Sequence, residues 1–141
     1  MTDIESTIFQ RIYDAVIKEF PTANIISEDI ESPASFPTVA IVEQDNTVYE
    51  KTIDSSGLEN HSKLMYTVNV YTNNSSNRKS EAKKIMSIAD MAMQNMLFRR
   101  IMLSPAPNID RSVYRLTARY TAIVGQASQE SDKTVYQIYI R

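Results

Sequence analysis

Cysteine is absent from the sequence, and with it go disulfides, thiolate nucleophiles and cysteine-ligated metal sites. Such a chain is indifferent to redox state, which suits a reducing compartment. Glycine is nearly absent as well. Two glycines in 141 residues, Gly57 and Gly125, leave no room for a phosphate-cradling loop or a dinucleotide fingerprint. The one histidine, His61, stands beside Asn60 and Ser62 in a polar stretch that reads as a solvated loop. Without cysteine a zinc site would need several suitably spaced carboxylates, and none are spaced for it. Glu28, Asp29 and Glu31 cluster, but without the alternating oxygen ligands of a calcium loop; a solvated turn accounts for them. Ser55-Ser56-Gly57 lacks the glycine pattern of a nucleophile elbow. The expectation is a protein that is not an enzyme, with no cofactor and no metal. No apolar segment approaches the roughly 18 residues needed to cross a bilayer. The N-terminus lacks the basic stretch and apolar run of a signal peptide, so a soluble intracellular product with no membrane partner is expected.

What is present is charge, unevenly placed. The net charge of −2 hides two opposed halves. Residues 1–62 carry three Lys/Arg against twelve Asp/Glu, a net of −9, and residues 63–141 carry twelve against five, a net of +7. These charges either interleave in space and cancel, or form an acidic and a basic flank by which copies attract head to tail and close into a ring.

The length of 141 residues predicts a single domain, able to bury about 68% of its unfolded surface. Ile4, Ile8, Ile12, Ala15, Val16 and Phe20 recur at helical spacing and predict an amphipathic helix over 2–20, with Thr2 and Glu5 as a capping box and Pro21 as its stop. A short strand is expected in "NIISEDI" (24–30), followed by a turn-rich link at 32–37. Strands are expected at 38–44 and 47–53, joined by a turn at Asp45-Asn46, and at 63–72, where apolar and polar residues alternate. Asn77 is a candidate N-cap for a second helix over 78–97, with an apolar stripe of Ala82, Ile85, Ile88, Ala89, Ala92, Met93 and Met96. Further strands are expected at 98–103, 113–124 and 134–140, the last two separated by a flexible linker, "GQASQESDK" (125–133). The fold class is α+β: a mainly antiparallel β-sheet with two α-helices packed on one face.

In "VYRLTARYTAIV" (113–124) one face carries Tyr114, Leu116, Ala118, Tyr120, Ala122 and Val124, and the other carries Val113, Arg115, Thr117, Arg119, Thr121 and Ile123. The first face belongs in a core. The second adds to Arg99, Arg100 and Arg111 on adjacent segments, and to Lys79, Lys83 and Lys84 near the start of the second helix. Nucleic acid is one partner for such a surface, yet no helix-turn-helix, RRM-type aromatic motif or zinc finger accompanies it. A solvated or subunit-pairing face is the preferred reading.

Two stretches, "FPTVAIVEQDNTVYEKTIDSSGLENHSKLMYTVNVYTN" (36–73) and "FRRIMLSPAPNIDRSVYRLTARYTAIV" (98–124), resemble the central segment and closing hairpin of the tail-terminator (tail-completion, minor capsid) proteins of long-tailed bacteriophages. The resemblance implies a virion protein that forms a hexameric ring on the head-proximal end of the tail tube. There it would end tube polymerisation and offer a surface to the neck. The implied partners are other copies of the chain, the tail tube protein, the neck or head-completion connector and, in a contractile tail, a sheath protein. Genome DNA would pass through the opening without sequence-specific binding. Candidate assembly residues are Asp54, Ser55, Ser56 and Gly57 in one loop, Asn108 and Arg111 in another, and Arg99, Arg100, Arg115 and Arg119. Strand 134–140 is a candidate for pairing across subunits. A head-closure component of the neck and a nucleic-acid-binding accessory protein are the alternatives.

Overall fold

A computed structural model of the chain describes residues 3–49, 61–130 and 133–140, with the backbone alone for 126–130 and 133–140. The elements are α1 (Glu5–Glu19), β1 (Asn24–Ile26), β2 (Thr38–Val48), β3 (His61–Thr72), α2 (Arg78–Asn95), β4 (Arg99–Ala106), β5 (Tyr114–Glu130) and β6 (Lys133–Ile140). All six strands form one sheet in the order β1-β2-β3-β5-β4, with β6 also paired to β5. Only β1 and β2 run parallel; every other pair is antiparallel. Both helices lie on one face, as the α+β reading expects.

The helix stripes make the core. Ile8, Ile12 and Val16 of α1, and Ala82, Ile85, Ala89 and Met93 of α2, are buried against Val39, Ile41, Leu64, Tyr66, Val68, Val70 and the apolar face of β5. Met86 joins the second stripe. At the start of α1 the N-cap is Ile4, which makes no side-chain cap bond; Asp3 Oδ1 accepts the Glu5 amide at 3.1 Å instead. Thr2, half of the expected capping box, lies outside the described residues.

The end of α2 is a paired-bond stop. The Leu97 amide donates to the Gln94 carbonyl at 2.9 Å and the Phe98 amide to the Met93 carbonyl at 3.0 Å, the two bonds of a Schellman motif. This arrangement forces Leu97 to φ 66°, where an L-residue pays roughly 1–2 kcal/mol in steric crowding. Phe98 and Met93, the apolar pair that accompanies the motif, are both fully buried.

A transverse row of polar atoms crosses the helix-side face. Glu43 of β2, Tyr66 of β3, Tyr120 of β5 and Arg100 of β4 are direct cross-strand neighbours in that order. Tyr66 donates its hydroxyl to Glu43 Oε1 at 3.0 Å, and Tyr120 donates to Asp90 Oδ1 of α2 at 2.7 Å. Asp90 also receives Arg100 at 3.1 Å and Gln94 at 2.6 Å. Phe98 meets the Tyr66 ring edge-on, with centroids 5.7 Å apart. Burial, and then the neighbouring carboxylate, push both tyrosine hydroxyls far above their usual range. Burial likewise raises Glu43, against the lowering effect of the Tyr66 bond.

Three expectations are corrected. The strands expected at 38–44 and 47–53 begin as one strand, β2, which runs through Asp45-Asn46 with a bulge between Glu43 and Asp45. Asp-Asn lacks the glycine of the favoured two-residue hairpin turns, and β3 offers ladder partners on both sides of the bulge. Residues 50–53 lie outside the described residues. The segment expected as a flexible linker is mostly strand: β5 continues through Gly125 to Glu130 and pairs with β6 from Lys133. Polar composition suggested a loop, but β6 supplies the backbone partners that β3 no longer offers beyond Gly125. β3 pairs with β5 only as far as Gly125, so the hairpin projects on the order of 15 Å past that point. His61 opens β3, pairs with Gly125 and accepts the Tyr49 amide, so it is not a loop residue.

Two consequences are measurable. Leu97→Gly relieves the left-handed strain and should stabilise the protein by about 0.5–1 kcal/mol, raising Tm by a few degrees in calorimetry. The raised tyrosine pKa values mean that the folded chain holds these protons more tightly than the unfolded chain. Their contribution to stability is complete below the ordinary tyrosine value near 10 and is lost as pH rises above it. Denaturant midpoints should therefore fall above about pH 10, and Tyr120→Phe with Tyr66→Phe should flatten that fall.

Candidate assembly surfaces

The two faces of the sheet divide the arginines. Strand residues alternate sides, so Arg99 and Arg100 point opposite ways. Arg100, opposite Tyr120, lies on the helix side and is ion-paired with Asp90 at 3.1 Å. Arg99 lies opposite Thr121 on the open face, which it shares with Arg115 and Arg119.

Arg115 and Arg119 have different surroundings. Arg115 is half-buried; its guanidinium stands 5.5 Å from the centroid of the Tyr71 ring, and its Nε donates to Asn69 Oδ1 at 3.2 Å. The same Asn69 oxygen accepts the Thr117 hydroxyl at 2.6 Å. Tyr71 in turn donates its hydroxyl to the Ile30 carbonyl at 2.8 Å. A second apolar cluster of Ala40, Tyr71 and Val113, with Ile26, Ile30 and Phe36 against it, covers this end of the open face. Arg115 is thus a fastening for the segment between β1 and β2. Arg119, opposite Thr67 and Met102, is exposed, and Lys63, opposite Ile123, is exposed on the same face. Among the described residues, Arg99, Arg119 and Lys63 are the exposed cations of this face.

Asn108 and Arg111 lie in the β4–β5 connection, and both are exposed or nearly so. Asp110 organises this loop: its Oδ1 accepts the Ser112 hydroxyl at 2.6 Å and the Ser112 amide at 2.9 Å, while Asn108 Nδ2 donates to the Asp110 carbonyl oxygen at 3.2 Å. The two Ser112 bonds hold the Asp110 carboxyl below the usual carboxylate range. The turn carries Ile109 at 89% exposure, an apolar tip on an ordered polar loop. Asp54, Ser55, Ser56 and Gly57 lie outside the described residues. Their flanks do not: the chain leaves beyond Tyr49 and returns at His61, at the end of the sheet opposite 107–113.

A groove of about 440 Å³ runs between α2 and β4. Met86, Leu103, Pro105 and Leu116 line it, with Lys79, Lys83 and Arg100 at its margins. The Tyr114 hydroxyl, also at this groove, is buried and has no hydrogen-bond partner among the described residues. Sequence reasoning noted the lysines near the start of the second helix as part of a basic surface, but not the groove that they border. It also missed Asp90. An acid four residues from Met86 on the flank of an apolar stripe signals a buried partner, and Tyr120 and Arg100 are that partner. Among the described residues no group of three His, Cys, Asp or Glu is placed to hold a metal ion.

The contrast between the two open-face arginines is testable by thermal or urea unfolding. Arg115→Ala removes a charge-assisted hydrogen bond and a ring contact and should cost about 1–2 kcal/mol. Arg119→Ala, which breaks no described contact, should stay within about 0.5 kcal/mol of wild type.

The sequence matches no protein-family model and no curated protein. Among solved structures, a chain from the virion of a native gene transfer agent particle is similar to it with a TM-score of 0.57, at 12% identity, over 86% of this chain and 94% of that chain. The gp17 protein of bacteriophage SPP1 gives a TM-score of 0.40 at 18% identity, over 83% of this chain and 89% of that one. At such identities the first likeness is one of fold: nearly all of a virion chain's architecture is found again in this α+β sheet.

Proposed function

We propose that this chain is a non-enzymatic structural subunit of a phage-like virion, and specifically its tail terminator. Copies close into a hexameric ring that caps the head-proximal end of the tail tube, ends its polymerisation and presents the surface to which the neck joins. The observation that carries this reading is the fold shared with a gene-transfer-agent virion chain across 86% of this chain and 94% of the other. It adds to the sequence resemblance over 36–73 and 98–124. The placement of the loops supports it as well. A terminator must touch tube on one rim and neck on the other, and the connections beyond Tyr49 and around Ile109 leave opposite ends of one rigid sheet. Loops on such a scaffold commonly carry contacts.

The partners on this reading are the tail tube protein, the neck or head-completion connector, and a sheath protein where the tail is contractile. Genome DNA passes through the ring. Arg99, Arg119 and Lys63 suit either a neighbouring subunit or non-specific phosphate contact.

Deleting the gene from its particle should give overlong tubes without heads, seen by negative-stain microscopy, and supplying the protein in trans should restore length and joining. Tails of normal length with unjoined heads would identify a head-closure component instead. Tails of normal length with heads attached would sink both, and steep salt-dependent duplex binding would then favour the nucleic-acid reading.

A further inference from the structure

Cross-strand rows carried out to both edges of the sheet bring opposite charges level with one another. Glu43 of β2, Tyr66, Tyr120 and Arg100 of β4 form one row, on the helix side. In the next row Asp45 of β2 opposes Met65, Met65 opposes Thr121, and Thr121 opposes Arg99 of β4. That row lies on the open face. Each acid near the β2 edge therefore has a base at the β4 edge, at the same height along the strands and on the same face. Asp45 and Arg99 are both exposed, and neither forms an ion pair among the described residues. Glu5 and Asp3, at the start of α1, stand close enough to Glu43 to add to the raising effect of its burial, so acids gather at this edge.

Both edges are open where these charges stand. β1 covers β2 only at Thr38, Val39 and Ala40, which leaves 41–48 with no strand on that side among the described residues. β4 pairs with β5 alone. The step that β1 makes on one edge is matched on the other. Asn24, Ile25 and Ile26 of β1 lie in the rows that end on Ala106, Pro105 and Ser104 of β4. The β4 edge thus carries short side chains where the other edge is widened by β1, and arginines where it is not. Directions agree as well. β1 and β2 are parallel, and each step from β2 through β3 and β5 to β4 reverses direction, so β1 and β2 run opposite to β4. Rotating a neighbour about an axis along the strands preserves heights and faces, and presents its β1–β2 edge antiparallel to β4. With β1 lying beside β4, Asp45 and Arg99 stand two strand spacings apart, roughly 10 Å between backbones. An extended arginine and a carboxylate span that distance together.

We infer that the β4 edge of one copy receives the β1–β2 edge of a second copy, with Asp45 against Arg99 on the open face and Glu43 toward Arg100 on the helix side. β1 meets the small residues at the end of β4, where an unpaired edge invites another strand. Arg99 brings an uncommitted charge, while Arg100 keeps Asp90 and presents its remaining guanidinium donors. Two β1–β2 edges do not pair in this way, since acid would meet acid. The contact is heterologous, so repetition through a closing rotation makes a ring, in which the sheets of successive copies run on as one surface. This inference rests on the reading of the chain as a self-assembling virion subunit and names the surface by which it does so.

Because the sequence holds no cysteine, introduced thiols report this contact alone. Asp45→Cys and Arg99→Cys proteins, mixed and treated with a short bismaleimide, should give a crosslinked dimer that neither protein gives alone. The doubly substituted chain should give a ladder. In parallel, D45R and R99D should each weaken self-association about tenfold or more, read by light scattering in solution or by occupancy of tail ends, with circular dichroism unchanged. Mixing the two variants should restore pairing, because each altered edge then meets its complement. R119E, on the same face but one strand in from the edge, should assemble as wild type does. Added salt should weaken the wild-type contact. Rings that form undiminished in both edge variants, an equal loss in R119E, or Arg99→Cys crosslinking to itself would overturn the inference while leaving the ring reading intact. A wild-type chain that stays monomeric both alone and on tail ends overturns the ring reading and this contact together.

Discussion

The buried pair Tyr66 and Tyr120, side by side on the two central strands, is the constraint on which the rest depends. Each is fully buried, so each hydroxyl must find an acceptor or cost about 1–3 kcal/mol. Tyr66 finds Glu43 on β2 and Tyr120 finds Asp90 on α2. One bond reaches toward the N-terminal edge and the other locks the second helix onto the sheet. Arg100 then neutralises Asp90 from β4, so one row fixes β2, β3, β5, β4 and α2 relative to one another. Bulges in β2 and β4 lie immediately beside this row, where they let the flanking strands change register without disturbing it.

Fixing those elements also fixes the surfaces. With α1 and α2 committed to one face, the other is covered, among the described residues, near Tyr71 by the segment that Arg115 and Ile30 fasten. Arg119, Arg99 and Lys63 are left exposed on the remainder. The arginines that look equivalent along β5 therefore have different tasks. Arg115 holds the fold together, and Arg119 faces whatever lies beyond it. The same order puts Glu43 and Asp45 of β2 toward one edge of the sheet and Arg99 and Arg100 of β4 at the other.

Much of this was legible from residue pattern. The helix stripes Ile8, Ile12, Val16 and Ala82, Ile85, Ala89, Met93 repeat at the period that their packing demands, and the β5 alternation matches its two faces. The misreadings have a common source. Asp45-Asn46 has turn-like composition and 125–130 is polar, yet both are strand, because β3 and β6 supply hydrogen-bond partners that local sequence does not display. His61 joins the sheet for the same reason. The α2–β4 groove was illegible because its lining comes from three elements, and only their packing brings Lys83, Leu103 and Tyr114 to one place.

The sequence by itself determined the class of fold and the asymmetry of charge, since hydrophobic period and residue counts are local properties that survive any arrangement. It also removed thiol chemistry, which requires residues that are not there. Only the tertiary structure decided whether the charges would cancel or separate, which arginine would be spent inside the molecule, and which strand edges would stay open. Those outcomes depend on the strand order β1-β2-β3-β5-β4. That order is set by long-range pairing, where buried tyrosine hydroxyls must find carboxylates distant in sequence.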